Sequence, residues 1–225
     1  MIDQSILVLD EGTTSTRAML FAQDGSVRGF EQAELTQHYP QSGWVEHDAG
    51  EIWDKTIACA RSMVAQAGGP ERIAAIGITN QRETVVAWDK ATGTPLGRAI
   101  VWQDRRTADM CTRLKETGHE PMVRERTGLL LDPYFSGTKM RWLIENDESV
   151  ARAAKGGRLA LGTVESWLVW NLTGGNSHIT DATNASRTML MALDASGWDE
   201  ELCNLFGVPL AALPQITDCA GELAQ

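Results

Sequence analysis

The segment Asp10-Glu11-Gly12-Thr13-Thr14-Ser15-Thr16-Arg17 gathers the residue types that handle a polyphosphate. Gly12 permits close backbone approach, successive amides from Gly12 to Ser15 can form an anion-binding nest, and the hydroxyls of Thr13, Thr14 and Ser15 add donors. Arg17 contributes a planar positive fork. Asp10 would repel a bare phosphate but suits one carrying Mg²⁺, to which it offers a carboxylate directly or through water. The chemistry this set points to is phosphoryl transfer. Taken alone, the segment reads first as an ordinary Gly-Thr hairpin with a solvated acid, because short motifs recur by chance.

A second polar cluster, Thr79-Asn80-Gln81-Arg82-Glu83-Thr84, interrupts an apolar stretch abruptly. In layered α/β proteins the carboxyl ends of central strands face the ligand crevice. Arg82 donates hydrogen bonds and Glu83 accepts them, so together they can define the hydroxyl groups of a small polyol. The alternative is a surface loop with an adjacent salt bridge. Trp102 closes the apolar run Ile100-Val101-Trp102; alone it reads as core, one of eight tryptophans that must mostly pack, although its indole could cover a carbon chain, and Tyr134 is poised between buried aromatic and ligand wall. Lys139 either meets phosphate or snorkels into solvent. The run Thr183 to Leu190 lacks a titratable pair suited to acid/base chemistry and reads as hydrogen-bonded scaffolding.

The elements that must position these residues follow from the apolar pattern. Ile6 to Leu9 form a strand that Asp10 closes, Ala18 to Ala22 resume it after an eight-residue polar turn, and Val27 to Leu35 make a third strand of a meander. Asp48 and Glu51 make a capping box before a helix with Trp53, Ile57, Ala60, Val64 and Ala67 at helical spacing, ended by Gly68-Gly69-Pro70. Ile73 to Ile78 read as a strand covered on both faces and Val85 to Trp88 as another. Helices are predicted over 107–117, 121–126, 138–146 and 164–172, with a short buried strand at 159–161. A meander followed by alternating strands and helices implies one α/β domain with a layered sheet of mixed direction. Neither Gly-x-Gly-x-x-Gly nor Gly-Lys-Ser/Thr occurs, so the first hairpin must carry any nucleotide.

Composition narrows the partners. The 225 residues, with 43% hydrophobic and 22% charged residues, can bury a core, and a formal charge of −10 disfavours nucleic acid and anionic membranes. The four cysteines are too widely spaced for a zinc site or a disulfide framework, and the four histidines share no metal spacing. Asp3 and Asp10 break up any secretory leader and no segment approaches a membrane span, so a cytoplasmic location is expected.

Beyond these readings the sequence resembles the FGGY carbohydrate kinases, and within them the branch that phosphorylates glycerol. The resemblance is carried by Asp10 to Arg17, Tyr39-Pro40 with Gly43 to Asp48, Ile73 to Thr84, Ala99 to Arg106, Asp132 to Lys139, Gly162 to Trp170 and Thr183 to Leu190, which cover most of the chain. It implies a ribonuclease H-like, actin/hexokinase-type fold, with a mixed sheet flanked by helices, in two domains that close over ATP and glycerol. Arg82, Glu83, Trp102 and Tyr134 would line the glycerol pocket. Gly12, Thr13, Thr14, Ser15 and Arg17 would hold the nucleotide phosphates and Asp10 the Mg²⁺. Glu11 departs from the family, where Gln is more usual, and a second carboxylate there is expected to weaken ATP binding or alter its Mg²⁺ dependence.

The resemblance also implies what these residues do not supply. The family's general base is an aspartate in a glycine-flanked Asp-Gln segment, which is expected beyond Gln225, so no catalytic base is assigned. Residues 1–225 are expected to form the N-terminal domain alone, without a C-terminal domain, and to be inactive in isolation. Homo-oligomerisation of a longer protein is left open. Two other readings stand beside this one: a kinase for another polyol or sugar, and a non-catalytic fragment that binds a ligand or partner.

Overall fold

The computed structural model describes residues 4–194 and 197–223. It divides into two compact units, one drawn from the residues up to Gln37 together with His47–Gln81, the other from His38–Glu46 together with the chain from Arg82 onward.

In the first unit β1 (Ser5–Glu11), β2 (Ser15–Phe21) and β3 (Val27–Glu34) form the expected antiparallel meander. The two-residue β4 (Glu46–His47) straddles the boundary and is followed by helix α1 (Ala49–Ala67), a 3₁₀ turn at Pro70–Arg72 and strand β5 (Ile73–Asn80). β5 pairs in parallel with β1, so the sheet is mixed, in the order β3-β2-β1-β5. Alternation in β1 sends Leu7, Leu9 and Glu11 to one face, where α1 packs. The buried stripe of α1 is Ala49, Ile52, Thr56, Cys59, Ala60 and Met63. That stripe is rotated from the Trp53, Ile57, Val64 series of the sequence reading. Polar Thr56 lies within the buried stripe, where its hydroxyl donates to Glu11, and Trp53 and Ile57 are only partly buried.

Two further expectations need correction in this unit. Only half of the capping box forms: the Glu51 amide donates to Asp48 Oδ1 at 3.0 Å, while the Glu51 carboxylate turns to the Thr36 hydroxyl at 2.9 Å and Lys55 Nζ at 2.6 Å. β5 is not covered on both faces, since Ala74 and Ala75 are exposed and Ile76 is 51% accessible. It is an edge strand, and its apolar run does not report two-sided burial among the described residues.

The second unit contains strands β6 (Val86–Asp89) and β7 (Ala99–Ile100) and helices α2 (Ala108–Glu116), α3 (Glu120–Thr127), α4 (Ser136–Asn146) and α5 (Glu148–Lys155). It continues with β8 (Leu159–Gly162), α6 (Val164–Leu172), β9 (Ile179–Asp181), α7 (Ala182–Ala185), α8 (Glu200–Leu205), a 3₁₀ turn at Leu210–Ala212 and β10 (Gln215–Thr217). β6 pairs antiparallel with β8, and β9 pairs in parallel with β10. One apolar core joins them, with Val85, Ile100, Leu131, Met140, Val150, Leu161, Leu190 and Phe206 all buried. Among the described residues no helix is long and apolar enough to cross a membrane.

Candidate active site

The hairpin in the first unit is tighter than its polar sequence suggests. The ladder runs through Asp10↔Arg17 and Glu11↔Thr16, so the loop is only Gly12-Thr13-Thr14 and Asp10 lies inside β1. The Gly12 amide donates to Ser15 O at 3.0 Å, which spends within the turn one of the four amides expected in the nest. A side chain at residue 12 would place Cβ 3.0 Å from that same carbonyl, so glycine is what lets the turn close. The three loop carbonyls are also engaged: Gly12 O accepts from Gln81 Nε2 at 3.1 Å, Thr13 O from Gln37 Nε2 at 2.7 Å and Thr14 O from the Leu35 amide at 2.9 Å. Among the described residues no peptide is cis, so in this loop the amide edges lie opposite those carbonyls. Thr14 is exposed, Thr13 and Arg17 are half-buried, and Ser15 is buried.

Asp10 and Arg17, cross-strand partners, form a loose ion pair at 3.9 Å with both side chains accessible. Among the described residues no group of three or more His, Cys, Asp or Glu is arranged to hold a metal ion. A lone accessible carboxylate still fits Mg²⁺, which keeps several waters and takes one or two carboxylates beside phosphate oxygens.

Glu11 does not face this surface, and the expectation that it adds charge to a nucleotide site does not survive. Its side chain points under α1, fully buried, where Oε2 accepts from the Thr56 hydroxyl at 2.8 Å. Thr16 Oγ1 lies 3.0 Å from Thr56 Oγ1, while Glu11 Oε1 is buried without a hydrogen-bond partner. Burial pushes the carboxyl up to about 7, helped slightly by Asp10 and opposed by the Thr16 and Thr56 hydroxyls.

In the second unit, Glu83, Trp102 and Tyr134 belong to one cluster. Glu83 is buried and its Oε1 accepts from Arg187 Nε at 2.7 Å. The Arg187 guanidinium lies 4.9 Å from the Phe135 ring centre and 5.7 Å from that of Tyr134. The Tyr134 ring meets Trp102 edge-on with centroids 5.6 Å apart, and Ser136 Oγ donates to Glu83 O at 3.2 Å. Among the described residues, the non-glycine positions with positive φ are Glu83 (66°) and Met189 (63°), one in each segment joined by the Glu83–Arg187 bond. Such strain persists where the surroundings over-determine it, and it concentrates at functional sites. Neighbouring Arg82 is exposed and makes no hydrogen bond or ion pair among the described residues. The alternative of an adjacent Arg82–Glu83 salt bridge is therefore not what forms.

Arg187 carries no local signal in the sequence, because Thr183 to Leu190 holds no titratable pair of its own. The partner of Arg187 lies 104 residues earlier, and no local pattern announces it. Lys139 neither meets solvent nor presents a surface charge: it is fully buried and donates to the carbonyls of Pro133, Tyr134 and Phe135. Asp104 and Arg106, after Trp102, are structural. Asp104 Oδ2 accepts from the Val45 amide at 2.7 Å and from Arg106 Nη2 at 2.8 Å, and the Arg106 guanidinium lies 3.7 Å from the Trp44 ring centre.

Comparison with known proteins identifies the family. Residues 5–224 match the FGGY family of carbohydrate kinases, N-terminal domain. A glycerol kinase of Dechloromonas aromatica is 54% identical over 223 residues, which is 99% of this chain and 44% of that protein. One from Cereibacter sphaeroides is 55% identical over 215 residues, again 44% of its length. The crystal structure of Plasmodium falciparum glycerol kinase with ADP superposes with a TM-score of 0.89 at 33% identity, over 95% of this chain and 43% of that one. A xylulose kinase from Rhodospirillum rubrum shares the fold, with a TM-score of 0.84 at 24% identity. The chain thus spans less than half the length of the relatives it matches. The fold is of the actin/hexokinase type, and the chain belongs to the FGGY family of carbohydrate kinases.

Proposed function

We propose that this chain carries the acceptor pocket and the phosphate hairpin of an ATP-dependent kinase that converts glycerol to glycerol 3-phosphate. The observation that carries the reading is Glu83: a buried carboxylate in a strained backbone conformation, oriented by Arg187 and preceded by an arginine with no partner among the described residues. Glu83 accepts hydrogen bonds from acceptor hydroxyls, and Arg82 donates to them. Trp102 and Tyr134 cover the carbon chain. A substrate fixed by such groups loses translational and rotational freedom before reaction, which is a main source of rate in phosphoryl transfer.

On the nucleotide side, the Thr13 and Thr14 hydroxyls and the loop amides receive phosphate oxygens, Arg17 adds positive charge, and Ser15 shapes the turn. Asp10 would hold Mg²⁺ through water. The metal, when bound, neutralises charge on the transferring phosphoryl group. The aspartate that takes the proton of the attacking hydroxyl is proposed to belong to a glycine-flanked Asp-Gln segment outside these 225 residues. The 54–55% identity to glycerol kinases over nearly the whole chain supports this assignment. Calorimetric titration of the chain with glycerol, beside Arg82→Ala, tests it. Binding to the unsubstituted chain that weakens at least about tenfold in the variant is expected, from loss of a hydrogen bond involving a charged group. Equal heats from the two proteins would contradict it.

A further inference from the structure

Lys139 is the buried charge that the acceptor chemistry leaves without a task. It sits in the first turns of α4, where the helix dipole disfavours a cation, and its side chain is fully buried. Burial pushes its ammonium down to about 7, against the opposing pull of the Glu83, Asp104 and Asp132 carboxylates; the Cys111 thiol, itself pushed up to about 11 by burial, also faces it. An apolar side chain of similar volume would fill the space without that cost.

What lysine adds is visible at Nζ, which donates to Pro133 O at 3.0 Å, Tyr134 O at 2.6 Å and Phe135 O at 3.0 Å. An ammonium has three protons, and three consecutive carbonyls receive them. The other edge of the loop is pinned by the Tyr134 amide, which donates to Asp132 Oδ1 at 2.8 Å. The loop held in this way presents the Tyr134 ring to Trp102.

We propose that Lys139 is a positioning residue of the acceptor pocket, acting through the Pro133–Phe135 backbone to fix the Tyr134 ring as its wall. The proposal rests on the reading of Tyr134 as that wall. Lys139 itself touches no substrate; its role is to gather the loop.

The two tyrosines make the test direct, because Tyr39 is 68% exposed and serves as an internal reference. In chain labelled with ring-¹³C tyrosine, Lys139→Met is expected to move the Tyr134 cross-peaks by more than a linewidth toward those of Tyr39. Tyr39 and the core methyl signals of Val150 and Leu161 should hold their places. A folded Lys139→Met protein with unmoved Tyr134 peaks would overturn the proposal. Should that variant fail to fold by circular dichroism, the unsubstituted chain decides. Loss of one ammonium proton removes one of the three bonds, so Tyr134 must shift together with the Lys139 ¹⁵Nζ signal as pH is raised. A Tyr134 peak that ignores the Lys139 transition overturns the proposal as well. Added glycerol judges the pocket reading separately: a Tyr134 peak indifferent to glycerol removes it from the acceptor wall, whatever Lys139→Met does to the loop.

Discussion

Arg187 and Glu11 show how much a single side chain can differ from its sequence context. Arg187→Ala would leave the buried Glu83 carboxylate without its partner, and removing one member of a buried charged hydrogen bond costs more than the bond is worth. Because Arg187 is itself partly accessible, a loss of about 1–3 kcal/mol in urea unfolding is expected, with glycerol binding weakened at least about tenfold. Arg187→Lys should recover little of either, since a point charge does not reproduce the guanidinium fork. Unchanged binding in Arg187→Ala would detach Glu83 from the acceptor. Glu11 makes a different prediction, about pH. Its carboxyl is raised to about 7 in the folded chain. Between the unfolded carboxyl range and that value, the folded state binds more protons than the unfolded state, so this group's contribution to stability falls as pH rises to about 7 and is level above it. The size is on the order of 3 kcal/mol. Glu11→Gln, which is neutral throughout, should lack this slope in a series of thermal unfolding curves; identical slopes in both proteins would refute the assignment. The chemical types of Arg82, Glu83, Trp102 and Tyr134 were readable in sequence because each follows or interrupts an apolar run. Arg187 and Lys139 were not, because their partners are a distant carboxylate and backbone oxygens.

At the scale of elements, the proposed acceptor cluster depends on α4 meeting the segment that carries Arg187. The Gly137 amide donates to Thr188 O at 2.7 Å, and a Cβ on Gly137 would lie 2.7 Å from that backbone oxygen. Gly137→Ala must therefore push helix and segment apart. A destabilisation of about 1–3 kcal/mol is expected, the usual cost of overpacking. Faster hydrogen exchange at residue 137 and weaker glycerol binding should accompany it; retained protection would show that the contact gives way elsewhere. The elements themselves were largely legible. The helices over 108–116, 120–127, 136–146 and 164–172 and the short strand at 159–162 stand within two residues of their expected bounds, and the meander forms with its second strand starting three residues early, at Ser15. What misled were the apolar residues of β5, which suggested burial on both faces of an edge strand, and the apolar stripe of α1. In α1 the buried face carries polar Thr56, bonded to Glu11, among its apolar residues.

For the whole molecule, the excess of ten acidic charges makes any capture of phosphate a local matter, and the Gly12–Thr14 hairpin is the place proposed for it. Each unit carries its own share of the proposed chemistry, the hairpin in one and the Glu83–Arg187 cluster in the other. The most direct measurement is a crystal structure of the protein grown with glycerol and a magnesium-bound, non-hydrolysable ATP analogue. The account predicts glycerol hydroxyls on Arg82 and Glu83, its carbons against Trp102 and Tyr134, and analogue phosphates on the Thr13-Thr14 turn. Glycerol held by other residues, or phosphates seated away from that turn, would contradict it.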